Sequence, residues 1–332
     1  MAAPRVTATQ VAKEARVSQA TVSYVLNDKP DTRIPEETRR RVIEAARKLN
    51  YTPSAAARAL RLGRSNLVLI VLPDWPLGYA MSGFVDGLTD RLEQADLQPV
   101  IRRLKHGVPV GDLWQAIMPA AVLLLDDVGR GEREAMEAAG IFVAHGLLWD
   151  EDHGDNPALA RGSLVGALQV EHFAATGHRR IGYLAPTAEK DRLFRRLRIE
   201  GAEAACLELG LDRPWVEAAD LTPAGVRGAL ENWWGTAADR RITAVCAYSD
   251  DYAFALLSAM RDLGLSAPGD LAVIGVDDIP LGAFAHPPLT TIGHEQDVVV
   301  GYLAAIIRAG IRGEKPPKTP TMHPSLIIRE SA

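Results

Sequence analysis

The chain has 332 residues, of which 47% are hydrophobic and 24% charged, and a formal net charge of −5. That length accommodates a small headpiece together with one or two α/β lobes, and the sequence contains no repeat or low-complexity tract. The apolar run Leu67 to Leu72 is far too short to cross a bilayer, the amino end has no apolar signal region, and Cys206 and Cys246 lack metal-type spacing. No membrane span, metal or cofactor is therefore expected; a reducing cytoplasm is the expected compartment, with both thiols as core filler.

The acidity is unevenly distributed. Residues 1–64 carry 13 Lys or Arg against 6 Asp or Glu, whereas the remainder carries 24 against 36. A basic end on an acidic body suits contact with nucleic acid at that end alone, since cationic side chains displace the counterions condensed on phosphates. Charge by itself also fits a solvated basic helix surface.

In chain order, Val6 to Asn27 predicts two short helices joined by a tight turn. Val11, Ala12, Ala15, Val17, Val22, Val25 and Leu26 have the spacing to close a small apolar core. Ser18 suits the N-cap of the second helix, leaving Gln19, Ala20 and Tyr24 to point outward as readers of base edges. A third helix is predicted from about Pro35, with Glu36 and Glu37 in its first turn and Val42, Ala45, Ala46 and Leu49 on one stripe. Residues 1–52 thus form the expected headpiece. Residues 53–65, Ala-rich between Pro53 and Gly63, read as a marginal hinge helix that orders only when packed against a twin or DNA, or else as a plain linker.

From residue 66 to 332 apolar strands alternate with amphipathic helices, a parallel α/β signature. Strands are predicted at 67–72, 121–125, 140–144, 180–184, 244–247 and 271–276, and helices at 84–95, 164–175, 198–209 and 252–263. In such folds ligands sit at the carboxyl ends of strands. Polar residues gather there: Asp74 and Trp75, Asp126 and Asp127, His145, Ser249 and Asp250, Asp277 and Asp278.

Ordered blocks along nearly the whole chain now carry a family resemblance. They are Val17-Ser18-Gln19-Ala20-Thr21-Val22-Ser23, Leu49-Asn50-Tyr51-Thr52-Pro53, Thr176-Gly177-His178-Arg179-Arg180-Ile181-Gly182-Tyr183-Leu184, Val273-Ile274-Gly275-Val276-Asp277-Asp278, Pro287-Pro288-Leu289-Thr290-Thr291-Ile292, and the closing Ile327-Ile328-Arg329-Glu330-Ser331. With these the chain resembles the lactose-repressor/galactose-repressor (LacI/GalR) family of bacterial transcription regulators. The resemblance implies an α/β fold: a three-helix helix-turn-helix headpiece, a hinge helix, and a bilobal parallel α/β effector domain like periplasmic binding proteins. It also implies a homodimer on a near-palindromic operator, controlled by a small-molecule effector, a sugar or related metabolite.

Carried over position by position, Gln19, Ala20 and Tyr24 occupy base-reading places, and Thr7, Ser18, Thr21, Asn27 and Tyr51 backbone-positioning ones. Tyr24 replaces a frequent Arg, exchanging a guanidinium that grips guanine for one hydroxyl and an apolar ring. Leu60 matches the hinge leucine that wedges into the minor groove at the operator centre. In the body, Arg198 and Asp277 match the effector-gripping pair, a guanidinium that donates and a carboxylate that accepts around sugar hydroxyls. Ser249 stands where Asn is common, Leu221 and Gln296 near positions often aromatic, and Arg161-Gly162-Ser163 in place of a frequent Asp-Asn pair. Trp75 and Tyr79 are candidates for a stacking face, with core packing an equal alternative.

Two other classes compete with a regulator: a sugar-binding receptor without DNA function, and a carbohydrate-active enzyme using Asp277 and Asp278 as paired acids. Adjacent residues at a strand end usually point opposite ways, and the sequence has no phosphate loop, nucleophile elbow or His-rich metal motif, so no enzyme is expected. His178, in the turn before a strand, reads as structural.

Overall fold

The computed structural model describes residues 6–26, 34–51, 65–74, 78–104, 110–146, 157–321 and 323–332, with side chains from 162 onward in the longest segment. The chain divides into two units, Met1–Asn66 and Leu67–Ala332.

In the first unit, α1 (Ala8–Ala15) begins after Thr7, whose N–H donates to Gln10 Oε1 at 2.8 Å. It ends at Arg16, which takes the left-handed conformation (φ 54°) so that Val17 N–H reaches back to the Ala12 carbonyl at 3.0 Å. That reversal is the predicted tight turn. Ser18 then caps α2 (Gln19–Leu26): its Oγ accepts from Thr21 N–H at 3.0 Å, satisfying a donor that the first helical turn leaves orphaned. Helix α3 (Glu36–Lys48) follows Pro35 with both acids in its first turn and Arg47 and Lys48 in its last, matching the helix dipole at each end. Val11, Ala12, Ala15, Val22, Val25, Val42, Ala45 and Ala46 are buried together. Val17, Leu26, Leu49 and Tyr51 close the rim, half-buried.

The second unit has two lobes. The first contains β1 (Leu67–Leu72), α4 (Tyr79–Glu93), β2 (Gln98–Arg103), α5 (Gly111–Ile117), β3 (Ala121–Leu124), α6 (Arg130–Ala138) and β4 (Phe142–His145). Its sheet, in the order β2-β1-β3-β4, is parallel throughout. The second lobe runs from α7 (Pro157–Ala175) through β5 (Ile181–Pro186), α8 (Arg192–Glu208), β6 (Trp215–Ala219), α9 (Pro223–Trp234), β7 (Ala244–Ala247), α10 (Asp250–Asp262) and β8 (Ala272–Val276) to β9 (Thr290–Gly293). The chain then returns: α11 (Gln296–Arg312) buries Val299, Val300, Leu303, Ala304 and Ile307 against Val68, Ile70, Leu72, Leu88 and Leu92 of the first lobe. The last strand, β10 (Ser325–Ile327), comes back to pair antiparallel with β9, giving the order β10-β9-β8-β7-β5-β6.

Of the strands predicted from apolar runs, all but the one at 140–144, which lies at a sheet edge, are central and largely buried, as parallel sheets require. Their edges shift by one or two residues: 140–144 becomes Phe142–His145, and 180–184 becomes Ile181–Pro186. Helices begin earlier than predicted, α7 at Pro157 and α8 at Arg192. Strands β2, β6, β9 and β10 and helices α5, α6, α9 and α11 were not predicted; β2 reads Gln-Pro-Val-Ile-Arg-Arg and lies half-exposed at the sheet edge.

Helices α7 and α8 touch backbone to backbone. A methyl group on Gly201 would lie 1.8 Å from the Ser163 carbonyl oxygen, and one on Gly166 would lie 1.8 Å from that of Arg198. Only glycine permits this approach, and it seats Arg198 in the lobe. Gly201→Ala should therefore force the helices apart and lower stability by about 1–3 kcal/mol, read as a lower urea midpoint at unchanged slope. A midpoint equal to that of the parent chain would mean that the pair separates without cost.

Candidate functional site

Two surfaces carry the predicted residues, one in each unit. On the headpiece, α2 turns Val22 and Val25 inward and leaves Gln19 and Ala20 exposed, together with the capping Ser18. Thr7 is exposed at the start of α1, whereas Thr21 and Tyr51 are half-buried. Tyr24, expected to point fully outward, is half-buried as well. It precedes the buried Val25 by one residue, about 100° around the helix, and so lies at the flank of the apolar stripe. Asn27, Leu60 and all but the last residue of the segment 53–65 lie outside the described residues.

In the body the focus is Arg198. Its side chain is buried on α8, where Nη1 donates to the Tyr248 carbonyl and the guanidinium lies 4.6 Å from the centre of the Tyr248 ring, with the Phe194 ring at 5.9 Å. Nη2 stands 3.8 Å from Asp277 Oδ1, and Nε is buried without a hydrogen-bond partner among the described residues. The same Asp277 oxygen is 3.6 Å from His294 Nε2, while the His294 Nδ1 is buried without a partner. Both separations exceed hydrogen-bond length, so the Asp277 carboxylate retains acceptor capacity beside the guanidinium and the imidazole. A hydroxyl-bearing molecule meets the chemistry of such a place: its O–H groups donate to the carboxylate and its oxygens accept from guanidinium and imidazole.

Asp278 faces elsewhere. Arg329 Nη2 donates to it at 2.7 Å and Arg329 Nη1 to the Leu289 carbonyl, tying the carboxyl-terminal segment to the turn. The two adjacent acids thus diverge, which removes the paired-acid geometry that glycoside chemistry needs. Ser249 is buried at the start of α10, next to Tyr248. Tyr79 and Gln296 belong to the other lobe: Tyr79 opens α4, 62% exposed, and Gln296 Nε2 donates to the Ala80 carbonyl at 2.8 Å, joining α11 to α4. Leu221 is exposed, and Trp75 and the side chain of Arg161 are outside what is described.

Sequence reasoning missed Tyr248, Phe194 and His294. Tyr248 lies beside Ser249 at the end of β7, where the strand-end rule selects it; Phe194 is one turn before Arg198, on the same face of α8. His294, in the crossing from β9 to α11, had no local signal. His178 is structural as expected, with Nδ1 2.8 Å from Thr243 Oγ1 and its ring edge-on to Phe173. Cys206 and Cys246 are buried, and burial pushes both thiols up, away from reactivity. No group of three His, Cys, Asp or Glu suited to a metal occurs among the described residues, and none of the described helices is long and apolar enough to cross a membrane.

With this geometry in place, likeness to known proteins becomes informative. Residues 7–54 match the family described as bacterial regulatory proteins, lacI family, and residues 170–332 match the periplasmic binding protein-like domain. The ribose operon repressor of Escherichia coli (strain K12) is 32% identical over 305 residues, covering 86% of this chain and 87% of that protein. The chain belongs to the LacI family of bacterial regulatory proteins. The HTH-type transcriptional repressor PurR of Actinobacillus pleuropneumoniae serotype 3 (strain JL03) is 28% identical over 337 residues, covering 97% of this chain and 96% of that protein. Among solved structures, the lac repressor dimer bound to operator and the anti-inducer ONPF has the same fold, with a TM-score of 0.79 at 22% identity over 99% of both chains. The transcriptional regulator CelR–cellobiose complex matches at a TM-score of 0.67 and 25% identity, covering 99% of this chain and 100% of that one. This LacI-family chain is a DNA-binding transcriptional regulator, not an enzyme.

A buried acid adjoins the body site. Asp250, 1% exposed, accepts from Thr291 Oγ1 at 2.6 Å and from Ile279 N–H at 2.9 Å. Burial raises its pKa from 3.8 to about 7; the neighbouring Asp277 and Asp278 push the same way, against the two hydrogen bonds. The folded chain thus holds this proton more tightly than the unfolded one does. The resulting stabilisation is complete below the ordinary value of 3.8 and disappears as the pH rises through about 7. Urea unfolding of the parent chain and of Asp250→Asn should give a stability difference that turns steadily against the parent between these limits. A difference independent of pH would show that Asp250 does not titrate in the folded protein.

Proposed function

We propose that this regulator is a cytoplasmic repressor that binds a near-palindromic operator as a homodimer, under the control of a small hydroxyl-bearing effector. Residues 1–52 read DNA, 53–65 form the hinge, and 66–332 bind effector and dimerise. The observation that carries the effector assignment is the Asp277 carboxylate standing between Arg198 and His294, closer to neither than 3.6 Å. The Tyr248 and Phe194 rings beside Arg198 supply the apolar face on which a sugar's C–H surface packs. The names of relatives point the same way: a ribose operon repressor, and a regulator solved with cellobiose.

On the DNA side, Gln19 and Ala20 read base edges, with Tyr24 contributing its exposed portion. Thr7, Ser18, Thr21, Asn27 and Tyr51 set the register on phosphates, and Leu60 enters the minor groove. In the body, Arg198, Asp277 and Ser249 grip the effector, and Trp75, Tyr79 and Gln296 are the further candidates for contact with it. Effector binding changes DNA affinity by favouring one arrangement of the lobes over another.

Full-length protein offered a pool of genomic fragments should enrich one near-palindrome, with affinity falling about a thousandfold between 50 and 200 mM salt if several phosphates are contacted. On that site Leu60→Ala should weaken binding far more than on random duplex. Failure to prefer any sequence, with or without small molecules, defeats the operator assignment, and equal losses on both duplexes defeat the wedge.

A thermal-shift screen of pentoses, hexoses, sugar phosphates and nucleobases should find a compound whose stabilisation reaches about 2.7 kcal/mol at a hundredfold excess over its Kd. Arg198→Ala and Asp277→Asn should each abolish the shift. A shift that survives both places the effector elsewhere.

A further inference from the structure

The turn after β8 holds a backbone that L residues avoid. Asp277 has φ 107° and Asp278 φ 47°, costly conformations that persist only when neighbours enforce them. Part of the enforcement is local: Asp277 N–H donates to the Ile292 carbonyl at 2.8 Å, and Arg329 holds the Asp278 side chain.

The remainder comes from α10. Asp250, first residue of that helix, directs its carboxylate beneath the turn. One oxygen accepts the Ile279 N–H, and the other accepts the hydroxyl of Thr291 on β9, whose Oγ1 in turn receives the Asp278 N–H at 3.4 Å. Space for the carboxylate exists because residue 275 is glycine; a methyl group there would lie 2.1 Å from Asp250 Oδ1. A carboxylate in a first helical turn often favours its own helix end. Here both oxygens are bonded outside α10, to the two sides of the turn.

We infer that Asp250 is a positioning residue for Asp277: it clamps residues 277–279 to β9 and so keeps the Asp277 carboxylate facing Arg198 and His294. The inference rests on Asp277 being an effector ligand. Charged groups surround the clamp: Asp277 and Asp278 from the turn, Arg329 from the carboxyl-terminal segment, Arg198 from α8, and His294 after β9. Burial and, after it, the anionic Asp277 and Asp278 favour the protonated form of Asp250, whereas its bonds to Thr291 and Ile279 favour the ionised one.

Hydrogen exchange on the full-length chain without any small molecule tests the clamp. Asp250→Ala should speed exchange of the Asp277, Asp278 and Ile279 amides about tenfold or more while the amides of β5 and β7 keep their rates. Asp250→Asn should restore the protection, because its oxygen still accepts from Ile279 and its amide donates to Thr291. It should also leave turn opening independent of the ionisation of residue 250 between about pH 4 and about pH 7. If Asp250→Ala does not fold, Thr291→Val removes one side of the clamp and should speed the same three amides to a smaller extent. Unchanged exchange at these amides, or equal loss of protection across the whole second lobe, overturns the inference. Loosening confined to the turn supports it whatever the sugar screen returns, so failure of the effector assignment is separately visible.

Discussion

A guanidinium buried in a lobe cannot stand alone, and the second lobe is organised around that requirement. Arg198 is carried inward because α7 and α8 meet at Gly166 and Gly201, with no side chain between their backbones. Its charge is then met by the Tyr248 carbonyl, the Tyr248 ring and, at longer range, Asp277. Burying such a group with incomplete hydrogen bonding is expensive, and the buried Nε has no partner among the described residues. A site that leaves this much donor capacity beside an acceptor of opposite charge is ready for a polar guest, since binding completes bonds that the empty lobe lacks.

The same constraint explains why the neighbouring acids differ in role. Asp277 stands beyond hydrogen-bond length from Arg198 and His294, Asp278 is neutralised by Arg329, and Asp250 lies beneath them with its oxygens bonded to Thr291 and Ile279. Three carboxylates within one small region repel one another, which contributes to the raised pKa of the most buried. Separate partners for each are what allow the cluster to exist.

How much of this was legible beforehand follows from where each residue sits relative to the apolar pattern. Val68 to Leu72 and Ala244 to Ala247 lie in sheet interiors, so they read as unbroken hydrophobic runs and were placed to within a residue. Strand β2 carries Pro99, Arg102 and Arg103 at an edge, where only part of the strand is covered, and it gave no such signal. The return of α11 to the first lobe was invisible for another reason: amphipathic periodicity reveals that a helix has a face, not which sheet that face will meet. In the site, Arg198 came from the family resemblance, and Asp277 and Ser249 from both resemblance and strand position. His294 belongs to neither pattern, being brought to Asp277 only by the crossing between lobes.

That crossing gives the effector site its leverage. His294 contacts the Asp277 region from one side, and two residues later Gln296 begins α11 and bonds to Ala80 at the start of α4. Among the described residues, a short stretch of chain with a polar contact at each end thus leads from the Asp277 carboxylate to the first lobe. A guest that completes the bonding of Asp277 acts on the residue that leads into α11, and α11 is packed into the first lobe through Val299, Val300, Leu303, Ala304 and Ile307. Because those side chains are buried in a close-packed core, α11 cannot shift gradually against β1 and α4; a change at its amino end is transmitted to the lobe as a body. On the proposed assignment of Asp277 as an effector ligand, binding there favours one lobe arrangement over another.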